Sequence, residues 1–169
     1  MYDIIIKSVN FVALVRLGMI ISRAWGTDAN DVHHPIVFAT HGLRRKAVSA
    51  KGAESQAAYV GAGTAQVLRH LETAFKLPKP RCILVTDSQS LVSSITANRR
   101  LNDGYVTLDV LALRESFKFG EFGATWASGK EMVADPLTKP NAPNEDHRAY
   151  LNTGRIQFGI TNVLWERRS

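Results

Sequence analysis

The sequence is short of several things, and each shortage excludes something. Its 169 residues include one cysteine, Cys82. That rules out an internal disulfide and any zinc site built on several thiolates. Cys82 lies in the apolar stretch "RCILVTD", where a small buried hydrophobe is expected rather than a reactive thiol. Long hydrophobic runs are missing. "FVALVRLGMII" is interrupted by Arg16 and is too short to span a bilayer. Asp3 precedes it where a secretion signal would carry positive charge, so an intracellular (cytoplasmic or nuclear) protein that is not secreted and meets no membrane is expected. Low-complexity tracts and internal repeats are absent too. Acids are outnumbered 15 to 21 by Lys and Arg, a formal net charge of +6. Such an excess suits a polyanionic partner. The cations are dispersed, apart from "GLRRKAVSAKG", "NRRL" and "WERRS".

What remains is ordinary for one globular domain, with 45% hydrophobic and 21% charged residues. "YDIIIKSVNF" and "LGMIISRAW" pattern as strands, "GTDANDVHHP" as a polar loop and "IVFAT" as a third strand. From Ala53 the period changes. Ala57, Val60, Thr64, Val67, Leu68, Leu71 and Phe75 recur at three- and four-residue spacing, which predicts one buried face of a long helix ended by "KLPKP". Gly61 and Gly63 lower the propensity of that helix and imply close approach of another backbone. "RCILVTD" patterns as a central strand and "SQSLVSSITAN" as a short helix. "YVTLDVLALRESFKFG" is a longer helix, with Val106, Val110, Leu113 and Phe117 on one stripe. "FGATWAS" is a last strand, "KEMVADPLTK" a turn into a helix, and "EDHRAYLNTGRI" a closing helix before a basic tail. The order implies an α/β fold: a five-stranded mixed sheet, three antiparallel strands then two parallel, flanked by helices. Residues 1–140 would form the main domain and 141–169 a C-terminal helix and tail packed on it or trailing it.

Three acids fall at special places in that order. Glu54 opens the long helix, Asp87 ends the central strand, and Asp135 follows the last strand at a helix start. Chemistry in open sheets gathers at the carboxyl ends of strands and the adjacent helix starts. Three carboxylates converging there would bind hard divalent cations, and a pair of such ions supports phosphodiester hydrolysis. Singly, each acid has a plainer reading, as a helix-dipole partner for Glu54 or a helix cap for Asp87 and Asp135.

Several segments in this order resemble the ribonuclease H domain of copia-type retrotransposon polyproteins. "RRKAVSAKGAESQA" is similar to the family's approach to its first helix, and "LVTDSQSL" to its strand-Asp-Ser segment. "RRLNDGYVTLDVLALRES" resembles its Arg-Leu…Asp…Leu-Arg-Glu helix. "TWASGKEMVADPLTK" resembles the segment ending Ala-Asp-x-Leu-Thr-Lys, the most specific of the set, and "YLNTGRIQF…W" the tail. The resemblance implies a ribonuclease H-like fold, with Glu54, Asp87 and Asp135 as catalytic, metal-binding carboxylates for magnesium (or manganese). It implies cleavage of the RNA strand of RNA–DNA hybrids, and a reverse transcriptase domain or another protein as a possible partner.

One family acid is missing. The resemblance calls for an aspartate near the end of the first strand, where this chain reads "KSVNFVA". Alignment on Phe11 puts Ser8 at that position, and alignment on the preceding serine puts Val9 there. Neither supplies an anionic ligand. Asp3 lies at the other end of the strand, about 16 Å away for five extended residues. Asp28 and Asp31 sit in a loop that the sequence does not place. In the family this aspartate bridges both ions, so its loss implies weakened metal binding, repulsion among the remaining carboxylates, and weak or lost activity.

Other groups carry less. His33 and His34 suggest metal ligands, but adjacent histidines point apart and no cysteine joins them. His70 and His147 are expected at the surface, and Trp25, Trp126 and Trp165 in the core. Arg44, Arg45, Lys46 and Lys51, ahead of the long helix, make a candidate nucleic-acid-facing patch, with Lys130 as a further phosphate contact. "SAKG" could offer backbone amides to a phosphate or be a plain turn. Three functions follow: a working hybrid-cleaving enzyme, a non-catalytic nucleic-acid- or protein-binding module, and an integrase-like nuclease. The last is disfavoured because its glutamate comes last, on a late helix, whereas Glu54 precedes Asp87.

Overall fold

A computed structural model describes residues 2–11, 14–24, 32–42, 49–77, 81–97, 107–129, 132–139, 141, 144–155 and 163–164. Its strands are β1 (Tyr2–Phe11), β2 (Leu14–Ala24), β3 (His33–Gly42), β4 (Cys82–Thr86) and β5 (Gly123–Trp126). Its helices are α1 (Ala50–Ala74), α2 (Gln89–Thr96), α3 (Thr107–Lys118) and α4 (Glu145–Thr153). The strands pair in the order β3-β2-β1-β4-β5. β1–β2 and β2–β3 are antiparallel, while β1–β4 and β4–β5 are parallel. Past β5, Leu164 forms an isolated antiparallel bridge with Ala124.

Alternation along the strands splits the core in two. On one face Met19, Ile21, Cys82 and Leu84 pack with α1, α2 and α3. On the other, Ile20, Ile83 and Val85 pack with Met132, Val133, Ala134 and Tyr150. Continuous burial of Cys82–Thr86 marks a strand covered on both faces. On α3, Val110, Leu113 and Phe117 are buried as the sequence implies, while Val106 lies outside the described residues.

α1 departs from expectation in two ways. It starts at Ala50, capped by the Ser49 hydroxyl accepting from the Gly52 N–H at 3.0 Å, so Glu54 sits in its second turn rather than opening it. The buried face also keeps only part of the expected stripe, Ala57 and the half-buried Leu68. Val60, Val67, Leu71 and Phe75 are exposed, and Ala53, Ala57, Ala58, Gly61, Ala62 and Ala65 face the sheet. Small side chains let the helix axis lie close to the strands, and that contact outweighs the larger transfer energy of the bulky residues. The close approach implied by the glycines is met at Gly61, which is buried; around Gly63 a Cβ would meet nothing within 4 Å. The helix stops at Phe75, where Lys76 turns left-handed (φ 58°) and the Leu77 N–H reaches back to the Glu72 carbonyl at 2.9 Å.

Two smaller departures follow from local patterning. β3 begins at His33, inside the stretch expected as a loop, and the pair splits across the sheet with His33 buried and His34 exposed. "VADPLTK" forms a single 3-10 turn, Asp135–Leu137, rather than an α-helix start. No described helix is long and apolar enough to cross a membrane.

Candidate active site

The site is best located from the sheet register. β1 and β4 run parallel with Ile6 opposite Thr86, the last pair of that ladder. Asp87 is the first residue past β4, and the β1 residues that follow Ile6, from Lys7 to Phe11, include no acid. The sequence alignments with the family put Ser8 or Val9 at the missing acid, and those pair with Leu17 and Arg16 on β2. Asp3 pairs with Ile83 at the far end, four residues short of Asp87, so it is remote from this point.

Asp87 leaves β4 just before α2, whose N-cap is Ser88, so it precedes the cap rather than forming it. Its backbone carbonyl accepts a hydrogen bond from the Trp126 indole N–H at 3.0 Å. Trp126 was expected in the core. It is instead 51% exposed, because it is the last residue of β5 and its ring lies over the strand ends. Glu54 sits on the sheet-facing side of α1 at 8% exposure, among Ala53, Ser55, Ala57 and Ala58. It thus lies on the face of the sheet opposite the Met132–Ala134 segment.

Asp135 is held in place by its turn. Its N–H donates to the Met132 carbonyl at 3.0 Å, and its own carbonyl accepts from the Thr138 and Lys139 N–H groups at 3.0 Å each. That turn is fastened to the sheet from three sides. On β2, the surface of Gly18 is so close that an added Cβ would lie 2.5 Å from Thr138 Cγ2 and 3.1 Å from Leu137 Cβ. On β3, the Thr40 hydroxyl donates to the Leu137 carbonyl at 3.1 Å. On α4, His147 Nδ1 lies 2.6 Å from the Val133 carbonyl, and its ring makes an edge contact with Phe38 at 6.2 Å between centroids. His147 was expected at the surface; it is half-buried because the first turn of α4 packs on this segment. The Asp135 carboxylate is paired with the Lys139 ammonium at 2.7 Å.

Gly18 joins the two halves. It pairs with Lys7 on β1 and supports the turn that carries Asp135. The Asp135 turn therefore lies against the middle of β2, at Gly18. Among the described residues, no group of three or more His, Cys, Asp or Glu is disposed to hold a metal ion. The donor set does not fit a paired-ion site: β1 holds no acid from Ile4 to Phe11, and a carboxylate oxygen of Asp135 already faces an ammonium group.

Of the expected nucleic-acid contacts, Arg44, Arg45, Lys46 and Lys130 lie outside the described residues, as do Asp28 and Asp31. Lys51 is half-exposed in the first turn of α1. In the neighbouring "SAKG", Ser49 takes up the Gly52 amide as its capping partner. Sequence reasoning missed Gly18, Lys139 and the exposure of Trp126. For Gly18 a signal existed, since a lone glycine inside a strand pattern marks close approach of another backbone.

No protein-family model matches this chain. No curated protein matches it either. Solved structures do. LC11-RNase H1, in a structure described as a complex with an RNA/DNA hybrid, is 10% identical with a TM-score of 0.62, covering 81% of this chain and 93% of that one. RNase H1 from the halophilic archaeon Halobacterium salinarum NRC-1 is 14% identical with a TM-score of 0.58, covering 80% and 92%. The N-terminal RNase H domain of rv2228c from Mycobacterium tuberculosis, solved as a fusion with maltose binding protein, is 13% identical with a TM-score of 0.58, covering 90% and 98%. At such identities the likeness is one of fold, and the fold of this chain is ribonuclease H-like.

Proposed function

We propose that this chain is a retrotransposon-derived ribonuclease H-like module that holds RNA–DNA hybrids and has little or no cleavage activity of its own. The observation that carries this reading is that β1, whose ladder with β4 runs to Ile6 opposite Thr86, holds no acid from Ile4 to Phe11. Two-ion phosphodiester hydrolysis needs carboxylates that fix both ions at one spacing, and the loss of a bridging acid removes that geometry. Support for hybrid binding comes from the ribonuclease H-like fold, the similarity to an RNase H1 in complex with a hybrid, and the net charge of +6. Binding would rest on phosphate contacts from Lys51 and from the cations at 44–46 and 130, with Glu54, Asp87 and Asp135 as remnants of the family's catalytic set.

The test is a labelled RNA–DNA hybrid offered to the purified chain in magnesium and then in manganese, beside its Ser8→Asp and Asp87→Asn variants. Binding that weakens steeply with salt, with no cutting by the wild-type chain, is the expected result. Robust cutting that Asp87→Asn abolishes would make this a working ribonuclease H and overturn the reading.

A further inference from the structure

We propose that the outer face of α1 is a dimer interface, on which a second copy of this chain docks its own α1 antiparallel about Val67. The inference goes beyond hybrid binding and does not depend on it. It begins with an inversion of charge. A helix on the surface of a domain normally turns its charged residues to water and its apolar ones inward. In α1 the three charged side chains after Lys51, those of Glu54, Arg69 and Glu72, are all buried. The exposed positions from Tyr59 to Phe75 carry no Lys, Arg, Asp or Glu. They hold Tyr59, Val60, Val67 (59% exposed), Leu71 and Phe75 (76% exposed) instead. A fully exposed aromatic presents about 150–250 Å², so at these exposures the stripe leaves on the order of 500 Å² of apolar side chain open. Patches of that size on a monomer are commonly functional. The intervening positions bring the face toward the ~800 Å² that each partner gives to a standard interface.

Charge and shape both name the occupant as a second copy. The chain carries a net charge of +6, so two copies repel each other through most of their surfaces. A face without charge is where that repulsion is least, and an acidic or basic partner finds nothing on it to pair with. Gly63 sits exposed in the middle of the stripe, and a Cβ there would meet nothing within 4 Å inside the chain. Glycine in a helix interior weakens the helix, and packing within this copy gives no reason for it. As a notch for a neighbouring helix it has one. Read in opposite directions about Val67, the stripe is complementary to itself. Leu71 falls opposite Gly63, Val60 opposite Ala74, and Tyr59 opposite Phe75, so large side chains meet small ones and the aromatics pair. A two-fold axis repeats every such contact and closes the assembly at two copies.

Sedimentation velocity on the purified chain from about 1 to 300 µM tests this, since interfaces of such size dissociate in the micromolar range or below. A reversible monomer–dimer equilibrium is expected, tighter in 0.5 M than in ~0.15 M salt because the repulsion between the two cationic chains is screened. Val67→Lys sets two ammonium groups against each other on the two-fold axis and should weaken the dimer about 100-fold or more. The Tm of the monomer should not change, because residue 67 faces water in a single copy. Gly63→Gln fills the notch and should weaken the dimer about 10-fold or more while leaving the monomer at least as stable. Val67→Cys should oxidise to a disulfide-linked dimer, as the native Cys82 is buried. A chain that stays monomeric at about 300 µM overturns the inference. So does a dimer that neither Val67→Lys nor Gly63→Gln weakens, or open-ended growth in place of closure. If Val67→Lys does not fold, Gly63→Gln and the cross-link decide. Binding of an RNA–DNA hybrid that salt weakens and Val67→Lys abolishes would assign this face to nucleic acid and equally overturn the inference.

Discussion

The two halves of the candidate site differ in how far their residues match the expected pattern. The half built by β4, β5 and the 132–139 turn keeps the sequence pattern of its resemblance, with Asp87 at a strand end and Asp135 in a turn anchored to β2, β3 and α4. The half built by β1 keeps only the backbone. Its ladder with β4 still runs to Ile6 opposite Thr86, but the strand holds no acid from there to Phe11. The difference teaches that register and chemistry are separable. Hydrogen bonding between strands and burial of alternate side chains fix where a position lies, and they do not require that it carry an acid.

The comparison can be broken most forcefully at its hinge. Leu84 on β4 is fully buried between α1, α2 and α3, and Leu84→Ala should cost about 2–5 kcal/mol by leaving a cavity in the strand that both halves share. Urea denaturation followed by circular dichroism would show it. Gly18→Val attacks the junction more selectively. The new Cβ would sit 2.5 Å from Thr138 Cγ2, so the Asp135 turn must lift from β2 at a cost of about 1–3 kcal/mol. Hybrid affinity should fall with stability if the turn contributes to binding, which paired melting and binding curves would reveal. Ser49→Ala removes the cap of α1 and should cost about 1 kcal/mol, read as a lower denaturation midpoint. Lys139→Met should change stability least, by under about 1 kcal/mol, because the Lys139 side chain is 39% exposed and water screens the pair. A larger loss in a double-mutant cycle with Asp135→Asn would show that the pair supports the turn more than its exposure implies.

Much of this was legible in the sequence, for reasons that are local. Cys82–Thr86 is apolar without interruption, so it could only be a strand covered on both sides. Val110, Leu113 and Phe117 share a helical stripe and are buried together. The order of Glu54, Asp87 and Asp135 was likewise visible, although only Asp87 and Asp135 border an element boundary and Glu54 lies one turn into α1. What was not legible depended on contact between distant segments. The large residues of α1 offered one apolar stripe and its alanines another, and only the sheet beneath decides which lies inside. Trp126 looked like core because tryptophan usually is, but a strand of four residues ends at it and leaves its ring over the edge. The part of β1 that lies nearest Asp87 was not legible for the same reason. Aligning on Phe11 or on the serine compares letters, whereas the level of Asp87 is set by a ladder between residues about eighty positions apart.

Leu164 has a consequence for how the chain could be shortened. Its bridge to Ala124 lays a piece of the tail along the outer side of β5, while at the opposite margin of the sheet Pro35, which has no N–H to offer, coincides with a shift in the β2–β3 register. Each margin is thus guarded by its own device against a passing strand. Trimming the chain after Gly154 would remove one guard and leave the other, and the shortened molecule should become stickier with concentration along a single side.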